Sequence, residues 1–337
     1  MNEYKNIDLL AIGDTAIDVF IKINDAEANC DLEGEHCKLC LSFGGKIAYE
    51  SATVCYAVGN SANAAVSTSR LGLKSALMSN IGDDENGAKC LEVLKNEKVD
   101  TYAIKIEKGK PTNYHYVLWY GSERTILVKH EKYNYEWTKT KESEEYHSPS
   151  WIYLSSLGED SMRFHDEIAN YLKRHTKVKL AFQPGTFQIK LGKESLKEIY
   201  QRTDVFLCNK EEAEKILDTE EKDLPKLTKM IYALGPKIVV VTDGVNGCYS
   251  YDGQETYFMG SLPHDTYEST GAGDAFSSTF VSALSLGKSI KEALLWGAIN
   301  GRSVVQHIGP QKGLLTREQL EETIKTITED YQPTKVE

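Results

Sequence analysis

The chain has 337 residues, 41% of them apolar and 26% charged, with a formal net charge of −11. That is enough for one large α/β domain with its own core. The acidic balance excludes a broad nucleic-acid surface, although a helix N-terminus can still hold a single phosphate. No apolar run approaches the roughly 18–20 residues of a membrane span.

Met1 to Ile7 is polar and acidic, unlike a signal peptide. The seven cysteines are an odd number scattered along the chain, which reads as reduced thiols in a cytoplasmic protein. Cys30, Cys37 and Cys40 cluster around one CxxC. A zinc site there needs a further ligand, for which His36 is the nearby candidate.

Ile7 to Gly13 is a short apolar run ended by Gly-Asp, a buried strand, and Val19 to Ile23 alternates as a half-exposed one. Residues 24–38 are polar and read as a loop or insertion. Leu39 to Val58 alternates imperfectly around Gly44-Gly45, which suggests short strands. Asn60 to Leu71 turns helical and stops at Gly72. A strand over 75–82 and an amphipathic helix over 84–95 follow. Two β-rich runs within 113–130 flank Gly121-Ser122-Glu123-Arg124, a hairpin signal. The next strand is 151–157.

From there strands and helices alternate: helix 160–174, strand 178–183, helix 193–201, strand 204–208, helices 210–217 and 223–233, and strand 237–244. Two long helices, 273–286 and 289–307, lie near the end. Such alternation predicts an α/β domain with a mostly parallel sheet covered on both faces. The stretches 39–58 and 113–130 do not fit it and look like a second, smaller sheet that covers a site as a lid. Tyr114, Tyr116, Trp119 and Tyr120 read as packing within that sheet, with a platform for stacking substrate as the alternative.

The strongest chemical signal is Gly271-Ala272-Gly273-Asp274 at the start of a long apolar helix. Small residues let backbone approach a ligand closely. The helix start offers unpaired N–H groups and a positive dipole end, which together suit a transferring phosphate. A carboxylate beside a bound phosphate is repulsive, so Asp274 needs a purpose, and taking the proton of an attacking hydroxyl is the obvious one. The plainer reading makes Asp274 a dipole partner of the helix.

Together with a Gly-Asn-rich helix start at Gly59-Asn60-Ser61-Ala62-Asn63 and the step Asn209-Lys210-Glu211-Glu212 after a strand, this motif resembles the PfkB or ribokinase-like carbohydrate kinases, in order and spacing, from about Ile12 to Gly313. The resemblance implies a single ribokinase-like domain over 1–337, with lid segments about 19–58 and 109–130. It further implies an ATP-dependent kinase for a sugar hydroxyl, with Asp274 as base and the Gly271, Ala272 and Gly273 backbone as anion hole. Asp18, Gly59, Asn60 and Asn63 are then the substrate-binding positions. Asn209 and Glu212 are expected to hold Mg²⁺ through water, and Thr242, Gly244 and Gly247 to border ATP. Relatives' lids often pair between subunits, so a homodimer through the lid is expected too.

Alternatives remain beside this. Asp18 and the two asparagines suit a nucleoside's ribose as well as a sugar, and a catalytically silent relative would keep the fold. Three departures from the family pattern also bear on it. Val58 replaces the first glycine of the family's pair, Glu268 stands where the family has Asp and leaves monovalent-cation dependence open, and the stretch from Asp18 to Gly59 is long, so the sugar is not carried over. Competing motifs are missing. Gly44-Gly45-Lys46 is followed by Ile47 rather than the Ser or Thr of a P-loop, and His130-Glu131 lacks a zincin's second histidine.

Overall fold

In the computed structural model, which describes residues 6–30, 37–121, 123–137, 148–263 and 267–336, the apolar runs become the middle of one wide sheet. Its strands are β1 (Leu9–Ile12), β6 (Ser75–Gly82), β7 (Ile104–Glu107), β10 (Trp151–Leu154), β11 (Lys179–Phe182), β12 (Val205–Asn209), β13 (Ile238–Thr242), β14 (Cys248–Tyr251), β15 (Thr256–Met259) and β16 (Thr334–Val336). They lie in the order β16-β15-β14-β13-β12-β11-β10-β1-β6-β7. From β7 to β13 all pairings are parallel, and β14, β15 and β16 extend the edge antiparallel.

Side chains alternate strictly between the faces, as the pleat requires. Leu9, Ala11, Tyr153, Ala181, Leu207 and Val240 point into one core. Leu10, Ile12, Leu154, Phe182, Phe206 and Val241 point into the other. The first core is closed by α1 (Asn60–Arg70), α2 (Glu85–Asn96), α8 (Ala272–Ser285), α9 (Ile290–Val304) and α10 (Arg317–Ile324). The second is closed by α3 (Met162–Arg174), α4 (Thr186–Leu191), α5 (Lys197–Arg202), α6 (Lys210–Leu217) and α7 (Leu224–Tyr232). This is the α/β layering that the alternation predicts.

A separate four-stranded sheet has the order β5-β2-β8-β9, built from β2 (Ala16–Ile23), β5 (Tyr49–Val58), β8 (Asn113–Tyr120) and β9 (Glu123–Leu127). β2 joins the two β-rich stretches by pairing β5 antiparallel and β8 parallel. Near its end β5 carries an extra residue. Ala16 faces Val58 and Asp18 faces Cys55, so two residues, Tyr56 and Ala57, oppose Ile17 alone. Ala57 absorbs the kink with φ 55°, its N–H donating to Cys90 Sγ at 3.3 Å. Such bulges redirect the chain beyond them, here Gly59 and α1.

Several expectations are corrected. The polar stretch 24–38 includes a strand of a small antiparallel hairpin, β3 (Glu27–Asn29) with β4 (Lys38–Cys40). Continuing that register puts Cys30 opposite Cys37, and the two form a disulfide instead of reduced thiols, which removes them as zinc ligands. His36 lies outside the described residues. Residues 49–58 are one long strand, and Gly44-Gly45 lies outside it. The helix expected over 193–201 starts only at Lys197, because Gly192 at φ 84° ends α4 and a turn intervenes. The sequence pattern does not predict β7, β14, β15, β16, α4 or α10.

Candidate active site

The C-terminal ends of the parallel strands converge on the N-terminus of α8, where loops and helix starts supply the polar groups. Gly271 caps α8 at φ 84°, and a Cβ there would meet Pro310 Cβ at 2.3 Å, so only glycine fits this turn. A Cβ on Gly273 would meet nothing within 4 Å, which leaves the helix start open to a ligand. The first-turn N–H groups have no acceptor within the helix.

Asp274 sits in that first turn and is 9% exposed. Three amides hold its carboxylate. Asn60 Nδ2 donates to Oδ1 at 2.8 Å, Gln183 Nε2 to Oδ1 at 3.2 Å, and Asn63 Nδ2 to Oδ2 at 2.8 Å. Burial raises its pKa above the usual carboxylate value. The three amides work against that rise, and the charge of Asp18 adds to it. A carboxylate offers about four lone-pair positions. Three are taken, and the remaining one belongs to Oδ2.

Asn60 and Asn63, expected to bind substrate, each give one amide N–H to Asp274. They come from the first turn of α1. Gly59, at φ 108°, caps that helix, and a Cβ there would meet the Asp14 carbonyl at 2.7 Å. Asn63 is held from behind as well, its Oδ1 accepting from Gln311 Nε2 at 3.0 Å, while the same amide donates to the Ala57 carbonyl at 2.7 Å. Gln183 and Gln311 went unread in the sequence. The only signal for Gln183 was its place just past the end of β11.

Asp18 lies on β2 and is 9% exposed. Its register neighbour on β8 is His115, whose Nδ1 is 3.2 Å from Asp18 Oδ1. Further in, Asp14 accepts from the Tyr135 hydroxyl at 2.8 and 3.0 Å, and burial pushes its pKa up to about 7. His130 Nδ1 lies 3.7 Å from Asp14 Oδ2, and burial, then the neighbouring His115, lowers the pKa of His130.

A cavity of about 400 Å³ opens on the other side of the α8 N-terminus. It is lined by Thr242, Gly244 and Gly247, the positions that the family resemblance sets beside ATP, and by Ala272, Gly273 and Phe276. Glu123, from the lid sheet, also lines it. Its largely small or apolar walls beside an open helix N-terminus fit a nucleotide: a flat base inside and phosphates at the turn.

Asn209 and Glu212 form a reciprocal cap on α6. Asn209 Oδ1 accepts the Glu212 N–H at 2.8 Å, and Glu212 Oε2 accepts the Asn209 N–H at 3.0 Å. Burial raises the Glu212 pKa, and Asp274 adds to the rise, so Glu212 lies within electrostatic reach of the α8 turn. Its second oxygen is outside the cap and can accept a hydrogen bond from the water of a hydrated Mg²⁺. Glu268 is buried, with Oε1 accepting from Thr270 N at 2.7 Å. Arg124 of the lid donates to Ser269 Oγ and brings its Nε within 3.9 Å of Glu268.

The pfkB family carbohydrate kinase profile matches residues 23–317. The chain is 24% identical over 332 residues to an ATP-dependent 6-phosphofructokinase of Thermoanaerobacterium thermosaccharolyticum, covering 90% of each chain. Among solved structures it is similar to Arabidopsis thaliana ribokinase complexed with ribose and ATP, with TM-score 0.77 at 18% identity, covering 95% of this chain and 99% of that one. It is also similar to the nucleoside kinase of Methanocaldococcus jannaschii, with TM-score 0.75 at 20% identity, covering 96% and 99%.

Proposed function

The chain belongs to the pfkB family of carbohydrate kinases, and on that premise we propose that it is an ATP-dependent phosphotransferase acting on a hydroxyl of a sugar, or of the ribose of a nucleoside, with Asp274 as general base. One observation carries the base assignment. Three amides aim a buried carboxylate whose last lone-pair position, on Oδ2, is left for one more donor. An alcohol donating its proton there is positioned for attack, and the raised pKa of Asp274 makes it a better proton acceptor than an exposed aspartate.

Asp18 orients the acceptor by accepting from its hydroxyls. The first-turn N–H groups around Gly271, Ala272 and Gly273 face the transferring group. Glu212, with Asn209, would hold Mg²⁺ through water, and the ion would neutralise phosphate charge. The lid sheet closes the acceptor side through Asp18 and reaches the nucleotide side through Glu123. Its outer face is apolar: Val19 and Ile21 lie beside Tyr116 and Leu118, and Val54 and Leu127 extend the patch. Tyr116 is 45% and Leu127 51% exposed, which supports a homodimer formed across this face.

The test is ATP consumption with Mg²⁺ over free sugars, nucleosides and sugar phosphates, followed by Asp274→Asn with the best acceptor. The variant keeps the size of the side chain but loses its basicity, and its melting curve is the control for the three amides that the carboxylate accepts from. Turnover should fall roughly a hundredfold or more, with the melting temperature and the KM for ATP little changed. A folded variant that turns over like wild type removes Asp274 as the base.

A further inference from the structure

The wall of the site beyond Asp18 is built from histidines and carboxylates, and the catalytic reading does not use most of it. His115 and His130 meet edge to face, ring centroids 5.2 Å apart, and His130 packs on Phe187 at 5.3 Å. Asp18 takes one side of His115, and Asp14, fixed by Tyr135, lies next to His130. Among the described residues, His115 Nε2 and His130 Nδ1 are buried with no hydrogen-bond partner. A buried polar atom left unpaired is costly, and a ligand that pairs it recovers that cost.

Resting on the kinase reading above, we propose that His115 and His130 are acceptor-binding residues and that their wall selects an uncharged polyhydroxy acceptor over a phosphorylated one. A hydroxyl both donates and accepts, so it can satisfy an imidazole nitrogen in either tautomer and bond Asp18 as well. A phosphate dianion only accepts, and it would enter beside the carboxylates of Asp18 and Asp274. The ion-pair partners of Asp14 and Asp18 among the described residues are histidines, not arginine or lysine. The flanking lysines are exposed: Lys190 lies over the Phe187 ring, and Lys312 acts on Cys55. Arg124 is engaged with Ser269 and Glu268. A site built for phosphate places arginine forks inside the pocket. This one places carboxylates there.

The experiment compares kcat/KM for ribose, fructose and adenosine with that for ribose 5-phosphate and fructose 6-phosphate, under saturating Mg-ATP. The best uncharged acceptor should exceed the best phosphorylated one by a hundredfold or more. His115→Asn keeps a donor at the Nδ1 position for Asp18 but loses the Nε2 end, and should raise the acceptor KM roughly tenfold with the KM for ATP within twofold. His115→Gln reaches the Nε2 position and should recover most of that loss. His130→Phe should raise the acceptor KM in the same way, with melting temperatures reported for all three. If His115 only props Asp18, the order reverses, with Asn harmless and Gln harmful, and that result overturns its role as a ligand. A sugar phosphate as best acceptor overturns the selectivity while leaving the kinase reading intact. No turnover with any acceptor removes the kinase reading, and this inference falls with it.

Discussion

At Asp14, burial and hydrogen bonding pull in opposite directions, and burial wins, with the pKa pushed up to about 7 from 3.8. The folded protein therefore holds this proton more tightly than the unfolded chain from about pH 4 to pH 7. The contribution is fully present below the unfolded value and is lost as pH rises through about 7, at a slope of up to about 1.4 kcal/mol per pH unit. Asp14→Asn, which still accepts from Tyr135, should flatten the dependence of melting temperature on pH across that window. It should melt higher than wild type at pH 8 and nearly alike at pH 4. Parallel curves for the two proteins would mean that Asp14 is ionised throughout. Asp274 also has a raised pKa, so the activity of the wild-type protein should have an acid limb that begins above the usual carboxylate range.

Helix starts carry most of the site, and each has a structural duty besides a chemical one. The start of α6 shows how to separate them. Glu212 caps the helix through Oε2 and is the proposed Mg²⁺ residue. Glu212→Gln keeps the capping pattern, since glutamine serves in the same reciprocal box, but removes the charge that a hydrated cation needs. The Mg²⁺ concentration for half-maximal rate should rise several-fold with little change in melting temperature or acceptor KM. Glu212→Ala should in addition cost about 1 kcal/mol of stability, the usual scale of a lost cap. If Gln leaves the Mg²⁺ dependence unchanged, the cap is the whole role of Glu212. The start of α1 makes a related point. The bulge at Ala57 and the turn at Gly59 aim Asn60 and Asn63 across to α8, so two elements more than 200 residues apart in sequence form one carboxylate cradle.

For the whole molecule, the exposed apolar face of the small sheet is the feature that a lone chain leaves unexplained. Sedimentation at micromolar concentration should show a dimer. Tyr116→Lys with Leu127→Lys should shift it to monomer without unfolding it, because both side chains already face solvent in the isolated chain. A monomeric wild-type protein would remove the lid-to-lid dimer. Among the described residues no helix is long and apolar enough to cross a membrane.

The sequence by itself determined the layered α/β plan, because strand and helix differ in hydrophobic period and that period is local. It also marked Asp274 and the turn before it, because Gly271 and Gly273 beside an acid at a helix start leave a local signature. For Gly244 and Gly247 the spacing gave only a turn; their expected place beside ATP came from the family resemblance, and they line the cavity next to the α8 turn. The reciprocal bonds of Asn209 and Glu212 span only three residues and were open to the same kind of reading. Only the tertiary structure decided what Asn60 and Asn63 bond to, since their partner Asp274 is reached through packing of α1 on α8. It alone brought in Gln183, Gln311, His115 and His130, which come from four separate segments and carry no motif. The disulfide of Cys30 and Cys37 depended on hairpin register, which a polar stretch does not betray. Contacts between distant segments are fixed by how the two cores and the two sheets pack, and no local pattern of residue types encodes that geometry.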